Sequence, residues 1–425
     1  MFAFVPKASA TSGTGQRPRR DRAEGTLRLI ALGVAFLMSA CTGTHGVARD
    51  QRSPQASQGP QSPRIRGWLH TSGRQILDAD NRPLRLFSIN LSPLSSGQGA
   101  PGPEGLALYG CTGWRLPDPL AYQNIEAWGF NSVRLIISWS NLEPTPPSAG
   151  VDGQPEHRYN QEYAQAIDQE IKGLTDHGIA VILAMSQAQW SPAFHEIRTP
   201  FGIRCQGEGM PAWLYQDHSL AAMPAARFGF FNDQGAIQAG YEAAWRFIAA
   251  RYASNPMVVG ADMVNEPYTH GNFPPQDLHL ARLYVRVGAA IREENPNVML
   301  IFQDSNYPND QPFALRRPPP FSNVVYSFHF YDRDWTPNGL QRTTAYVARA
   351  ERWNVPLWIG EFDVFDYSSP RPFNPNWNAE LGKMLPFLRQ NGVSWAIWAY
   401  SGGAFLAPGG REPKPGLLAP LQAEF

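Results

Sequence analysis

The chain has 425 residues, 43% of them hydrophobic, with 36 basic and 36 acidic side chains and a formal net charge of zero. That length and apolar content suffice for a large buried core, and α/β barrels of this size commonly form one domain. A balanced charge, with no long block of Lys or Arg after the N-terminal region, speaks against a nucleic-acid binder and its basic footprint.

In chain order, Arg17, Arg19, Arg20, Arg22 and Arg28 precede an apolar run from Leu29 to Ala40. A run of about twelve residues is too short to span a bilayer and has the length of a secretory signal core. It ends Leu37-Met38-Ser39-Ala40-Cys41, with small residues directly before a cysteine. This resembles a bacterial lipobox, although Met38 stands where Leu is usual. The resemblance implies cleavage before Cys41, lipidation of its sulfur, and a secreted protein anchored at the cell envelope; ordinary secretion with cleavage elsewhere is the alternative. With Cys41 lipidated, Cys111 and Cys205 remain. An oxidising compartment allows a disulfide between them, and two buried free thiols are the alternative. The expected organisation is a signal peptide over 1–40, a flexible Ser/Gln/Pro/Gly-rich tether over 41–66 and one folded domain over 67–425.

Ile76 to Leu84 reads as a hairpin, with Asp78-Ala79-Asp80-Asn81 turning between apolar ends. Short apolar runs then alternate with longer amphipathic ones. Strands are expected at Arg85–Asn90, Ser132–Ser138, Ala180–Ser186, Val258–Asn265, Val298–Asp304, Val324–Tyr331, Pro356–Glu361 and Ser394–Tyr400. Several are apolar without alternation, as parallel strands buried on both faces are. Helical stripes lie between them. Tyr163, Ile167, Ile171 and Leu174 form one, closed by Gly178; Tyr241, Trp245, Ile248 and Tyr252 form a second; Leu283, Val287 and Ile291 form a third. About eight β/α units in sequence predict an α/β fold of the (β/α)8 TIM-barrel kind, with an open doubly wound sheet as the structural rival.

In a barrel, the C-terminal strand ends form the site. Asn90, Ser138, Ser186, Asn265, Glu266, His329, Tyr331, Glu361 and Tyr400 all fall at or near such ends. Two motifs stand out. Val264-Asn265-Glu266-Pro267 runs from an apolar strand into a carboxylate and a proline, and Trp358-Ile359-Gly360-Glu361-Phe362 also ends an apolar strand in a carboxylate. A single Glu at a strand end is usually a solvated or ion-paired group. Two of them on opposite sides of a barrel mouth match acetal hydrolysis, which needs one carboxyl to give a proton and one to attack carbon.

With these motifs the chain resembles glycoside hydrolase family 5, the cellulase family of clan A, over roughly Trp68 to Gly403. The resemblance rests on Val133-Arg134-Leu135, Asn265-Glu266-Pro267, Phe328-His329-Phe330-Tyr331, Glu361 and Trp398. It implies a retaining enzyme with Glu266 as acid/base and Glu361 as nucleophile. It further implies that Asn265 bonds the sugar 2-hydroxyl, that Arg134 holds Glu361, that His329 and Tyr331 flank the pair, and that Trp398 floors the −1 subsite. One departure matters: the family usually has His at the end of the third strand, where this chain has Ser186. Gln187, Gln189 and Trp190 are then candidates for its sugar contacts, and Asn90 and Trp139 are further subsite candidates. An insertion from Ser191 to Asn232 is expected to wall the cleft.

Other motifs carry less. Gly97 to Gly102 matches a dinucleotide fingerprint by letter, but contains Pro101 and opens no helix. His195-Glu196 starts a zinc-protease pattern that Thr199 breaks, so no metal and no cofactor are expected. The expected function is hydrolysis of a β-linked polysaccharide or oligosaccharide, most simply a β-1,4-glucan. The alternatives are another β-glycoside (β-1,3-glucan, mannan or a glycolipid glycan) and a non-catalytic carbohydrate-binding barrel. Expected partners are a sugar polymer, no nucleic acid, the membrane only through the lipid anchor, and no second subunit.

Overall fold

The computed structural model describes residues 60–96, 114, 119–151, 153–187, 190–194, 197–198, 204–205, 209–267, 276–304, 313–331, 339–363, 377–400, 405–406 and 412–425. The strands β1 (Phe87–Leu91), β2 (Ser132–Ile137), β3 (Ala180–Met185) and β4 (Val258–Asp262) are followed by β5 (Met299–Gln303), β6 (Val324–Phe330), β7 (Leu357–Phe362) and β8 (Ser394–Ile397). They pair in parallel in that order, and β8 closes on β1 through Trp395 opposite Phe87, so the sheet is a closed barrel. The closed ring excludes the open-sheet rival.

Every residue of these eight strands is buried. Alternate residues serve two cores, because successive side chains point to opposite faces. On β3, Val181 and Leu183 join the core shared with the helices, whereas Ala180 and Ile182 join Val259, Met299, Ile301, Val325, Trp358 and Ala396 inside the barrel. The inner cluster continues into Ile65, Leu69, Ile76 and Leu86, so the segment before β1 stops the N-terminal mouth. That segment is an antiparallel meander of His70–Ser72, Gln75–Leu77 and Pro83–Leu84, with Ile76 opposite Leu84. Packing starts earlier than the expected tether boundary. The Ser62 amide donates to the Gly129 carbonyl at 3.1 Å, and Ile65 is 6% exposed.

The connecting helices are α1 (Leu120–Ala127), α2 (Gln161–Asp176), α3 (Ile237–Arg251), α4 (Gln276–Glu294), α5 (Gly339–Trp353) and α6 (Trp377–Gln390). The α2 start is set by Asn160, whose side-chain oxygen accepts from the Glu162 and Tyr163 amides. Its expected stripe is fully buried, and Gly178 just past its end takes φ +71°, where glycine meets no steric penalty. Each such Ile or Leu contributes about 1.5–3 kcal/mol of burial, so a charge at Ile167 would open the α2 contact. Among the described residues no helix lies between β5 and β6, and none is long and apolar enough to cross a membrane.

Candidate active site

Arg134 projects from β2 with no exposed side-chain surface and uses all five of its N–H groups. Nε and Nη2 donate to Asp262 Oδ2 at 2.9 and 2.8 Å, and Nη2 also donates to Asn265 Oδ1 at 2.7 Å. Nη1 donates to Asn90 Oδ1 at 3.1 Å and to Glu361 Oε1 at 2.6 Å. One guanidinium therefore ties β1, β2, the β4 end and β7 together. Asn90 is itself fixed, with Nδ2 donating to the Gly360 and Ile397 carbonyls at 3.1 and 3.2 Å. Because Arg134 claims Asn265 Oδ1, the Asn265 amide has its Nδ2 donor left to offer.

The ladder of β4 stops at Asp262, short of the expected Asn265. The Met263 carbonyl turns outward and accepts from Tyr241 Oη at 2.8 Å and Trp245 Nε1 at 3.1 Å on α3. The chain then bends so that Glu266 adopts φ +40°, a left-handed conformation that costs a non-glycine residue on the order of 1–3 kcal/mol. Its amide is held by Gln303 Oε1 at 3.2 Å. On β7 an extra residue interrupts the ladder: Phe328 faces Ile359, but His329 faces Glu361, so Gly360 bulges. A Cβ on Gly360 would lie 2.9 Å from His329 Nε2, which explains glycine beside the second carboxylate.

His329 stands between the carboxylates, with Nδ1 2.8 Å from Glu266 Oε1 and 3.4 Å from Glu361 Oε2. The Tyr331 hydroxyl donates to Glu361 Oε2. Burial pushes His329 down to about 4, so the ring is neutral near pH 7. Burial also raises both carboxyls above their ordinary range. On Glu361 this is opposed by His329, by Arg134 in direct contact and by the Tyr331 hydroxyl, while the Glu266 charge raises it further. On Glu266 it is opposed only by the charges of Arg134 and Arg227. Two carboxyls this close disfavour each other's ionisation, so they titrate as a coupled pair in two steps. On Arg134, burial opposes the charge, but Asp262 and Glu361 outweigh it and raise its pKa.

Glu266, His329 and Glu361 each offer a ligand atom within 4.8 Å of the others, a spacing that suits a cation as well as a proton-transfer set. The hydrogen bonds among them, and the asymmetric support of Glu361, fit the second role.

The structure thus brings Arg134, Asn90, Asn265, Glu266, His329, Tyr331 and Glu361 into one connected set. Trp398, just past β8, is half-buried and joined to Ala399 by a cis peptide. Ser186 lies just past β3, 4% exposed, with its amide on the Ile137 carbonyl, and Gln187 turns its amide to the Asn265 carbonyl. The expectation that Trp190 contacts sugar is corrected. Trp190 is 1% exposed, donates to Tyr215 Oη at 3.0 Å and packs on Phe230 and Phe231, so its ring is spent on anchoring the insertion. Trp139 is likewise enclosed, donating to Glu143 Oε2 at 2.9 Å. Sequence reasoning misses Asp262, a lone charge within an apolar run, and Gln303, which ends one beside Asp304. Cys41, Cys111, Gln189 and His195 lie outside the described residues, and Cys205 is described only as backbone.

The family model of cellulase, glycosyl hydrolase family 5, matches residues 93–404. The chain is similar to an endoglucanase of Paenibacillus polymyxa, 21% identical over 79% of this chain and 80% of that one. It is also similar to endoglycoceramidase I of Rhodococcus hoagii, 23% identical over 67% of this chain and 61% of that one. The chain spans about three fifths of the length of two curated relatives, endoglycoceramidase I among them. Among solved structures, endo-glycoceramidase II from Rhodococcus sp. superposes with a TM-score of 0.62 at 24% identity, covering 83% of this chain and 81% of that one, a likeness of fold. With its closed parallel barrel and this match over most of its length, the chain belongs to glycosyl hydrolase family 5.

Proposed function

We propose that this protein is a retaining β-glycoside hydrolase of the cellulase kind, acting by double displacement. The observation that carries the reading is the closeness of the two carboxyl groups, whose oxygens lie within 4.8 Å. A retaining pair stands about 5–5.5 Å apart, whereas an inverting pair needs about 6.5–9.5 Å to seat a water. In the first step the Glu266 carboxyl gives its proton to the glycosidic oxygen, the anomeric C–O bond breaks, and a Glu361 oxygen bonds the anomeric carbon. In the second, the Glu266 carboxylate takes a proton from water, whose oxygen attacks that carbon and frees Glu361. Arg134 and Tyr331 hold Glu361 ionised and aimed, and Asn265 Nδ2 is the donor for the sugar 2-hydroxyl. With both carboxylates and their supports present, the non-catalytic barrel is disfavoured.

For the substrate, a β-1,4-linked glucan is proposed first, in line with the cellulase family model. The second reading, the glycan of a glycolipid, draws on the likeness to endoglycoceramidases I and II. The test is to incubate the full chain with β-1,4-glucan, β-1,3-glucan, mannan and a glucosyl- or lactosylceramide, and to read the anomer first released by NMR. Parallel samples carry Glu266→Gln and Glu361→Gln. Release of the β-anomer, lost in both variants, is expected. Activity that survives either substitution, or an α-anomer as first product, overturns the reading. Attachment through Cys41 is proposed from its lipobox-like context, and unchanged membrane fractionation of Cys41→Ser would refute it.

A further inference from the structure

Gln303, at the end of β5, has no role in the reaction as described so far, yet its amide is oriented by three neighbours. Oε1 accepts from the Glu266 amide at 3.2 Å, and Nε2 faces the Asp262 oxygens at 3.4 and 3.2 Å. A flipped amide would set Oε1 against a carboxylate and Nε2 against an N–H, so these contacts fix it. The backbone is fixed too. The Tyr284 hydroxyl of α4 donates to the Gln303 carbonyl at 2.8 Å and accepts from the Gln303 amide at 2.9 Å. Asp262 is in turn ion-paired with Arg134.

The remaining Gln303 Nε2–H points at His329 Nε2, 3.2 Å away. A donor there requires a lone pair on the imidazole, so the ring proton sits on Nδ1. We infer that Gln303 is a positioning residue that selects the Nδ1–H tautomer of His329 and thereby decides which oxygen of Glu266 carries the catalytic proton. With Nδ1–H donating to Glu266 Oε1 at 2.8 Å, Oε1 is an acceptor and the Glu266 proton resides on Oε2, free for the leaving group. In the other tautomer the Nδ1 lone pair would take a hydrogen bond from protonated Oε1, and the acid would face the imidazole instead of the glycosidic oxygen. Asp262, Gln303 and His329 thus form a relay of orientation, in which no proton needs to travel. The inference rests on the acid role proposed for Glu266.

The direct test is the long-range proton–nitrogen spectrum of the full chain labelled with ¹⁵N-histidine, with His329 identified by its loss in His329→Asn. An unprotonated, pyridine-like Nε2 and a protonated Nδ1 are expected; a protonated Nε2 overturns the inference. The kinetic test uses Gln303→Glu, which keeps an oxygen for the Glu266 amide but replaces the Nε2 donor by an acceptor. Dinitrophenyl β-cellobioside needs no proton on its leaving group, whereas cellotetraose does. Since general acids contribute about 10²–10⁴-fold, kcat/KM on cellotetraose, which reports the first step, is expected to fall at least about tenfold more than on the dinitrophenyl substrate. Equal losses would mark Gln303 as merely structural and overturn the inference. Glu266→Gln separates the two levels. If it shows no leaving-group selectivity, the acid assignment itself fails; if it does and Gln303→Glu does not, only the role of Gln303 fails. Should Gln303→Glu not fold, the nitrogen spectrum of the parent decides alone.

Discussion

Replacing Arg134 by Met removes five hydrogen bonds from the floor of the site in a single step. Asp262, with no exposed surface, loses its ion-pair partner and keeps only the Gln303 amide. Asn90 Oδ1 loses its Nη1 donor and Asn265 Oδ1 its Nη2 donor. Breaking a buried pair from one side costs about 3–5 kcal/mol. On the scale of about 2–4 °C per kcal/mol for domains of 150–250 residues, this lowers Tm by about 6–20 °C, toward the smaller figure for a longer chain. Arg134 also pulls the Glu361 pKa down against burial. Its loss raises that pKa further, so the acidic limb of the kcat/KM profile moves to higher pH. Arg134→Lys keeps a charge but offers three N–H groups for the four acceptor atoms, and should fall between the two. The assays are urea unfolding by circular dichroism and kcat/KM against pH. A Met variant within about 1 kcal/mol of the parent, with its acidic limb unmoved, would refute the reasoning.

Three further perturbations follow from particular contacts. Tyr331→Phe removes the hydroxyl that donates to Glu361; the acidic limb should shift upward, and an unchanged pH profile would deny that hydroxyl its role. Gly360→Ala places a Cβ 2.9 Å from His329 Nε2 and 3.1 Å from Ser327 Oγ, and kcat should drop about tenfold or more, because misplacement of about 1 Å costs about 10²-fold; full activity would mean that the ring gives way freely. Glu170, unexposed on α2, has its pKa pushed up to about 8 by burial, against the pull of the Tyr122 hydroxyl. A raised carboxyl stabilises fully below its unfolded value near 4.5 and loses that contribution as pH rises through about 8. Glu170→Gln should therefore flatten the fall in urea midpoint between those pH values and leave neutral activity unchanged, whereas an equal fall in parent and variant would exonerate Glu170.

Much of this arrangement is legible in the chain. All eight strands announce themselves as apolar runs, and their number favours a ring, although only the pairing of β8 with β1 excludes an open sheet. Glu266 and Glu361 are legible because each ends such a run, and the surrounding Asn265, His329 and Tyr331 follow from the family resemblance. What the sequence hides is partnership. Asp262 looks like a minor polar interruption of Val258–Val264 and Gln303 like the polar end of Met299–Phe302, and only the folded barrel shows them turned inward onto Arg134 and His329. The signal was present as a charge inside an otherwise buried strand, a placement that demands a partner. Trp190 failed in the opposite direction. An indole serves a sugar face or a packed wall equally well, and only its neighbours Phe230, Phe231 and Tyr215 tell which. The apolar Met263 and Val264 make β4 read three residues longer than it is; the Met263 amide still reaches the Ile301 carbonyl, but its own carbonyl turns to α3 and the chain bends at Glu266.

The web around Arg134 also bears on how the chain can be made. Its bond to Glu361 spans 227 positions and its bond to Asp262 spans 128, so a nascent chain that has produced β2 through β4 still lacks the Asn265 and Glu361 acceptors. A ribosome-bound or truncated fragment ending before Leu357 holds Arg134 and Asp262 but not yet Glu361, the second carboxylate of the guanidinium. Contacts of such separation are made late. The Arg134–Glu361 bond can therefore close only after β7 has been made, and unfinished chains lack that clamp at the mouth.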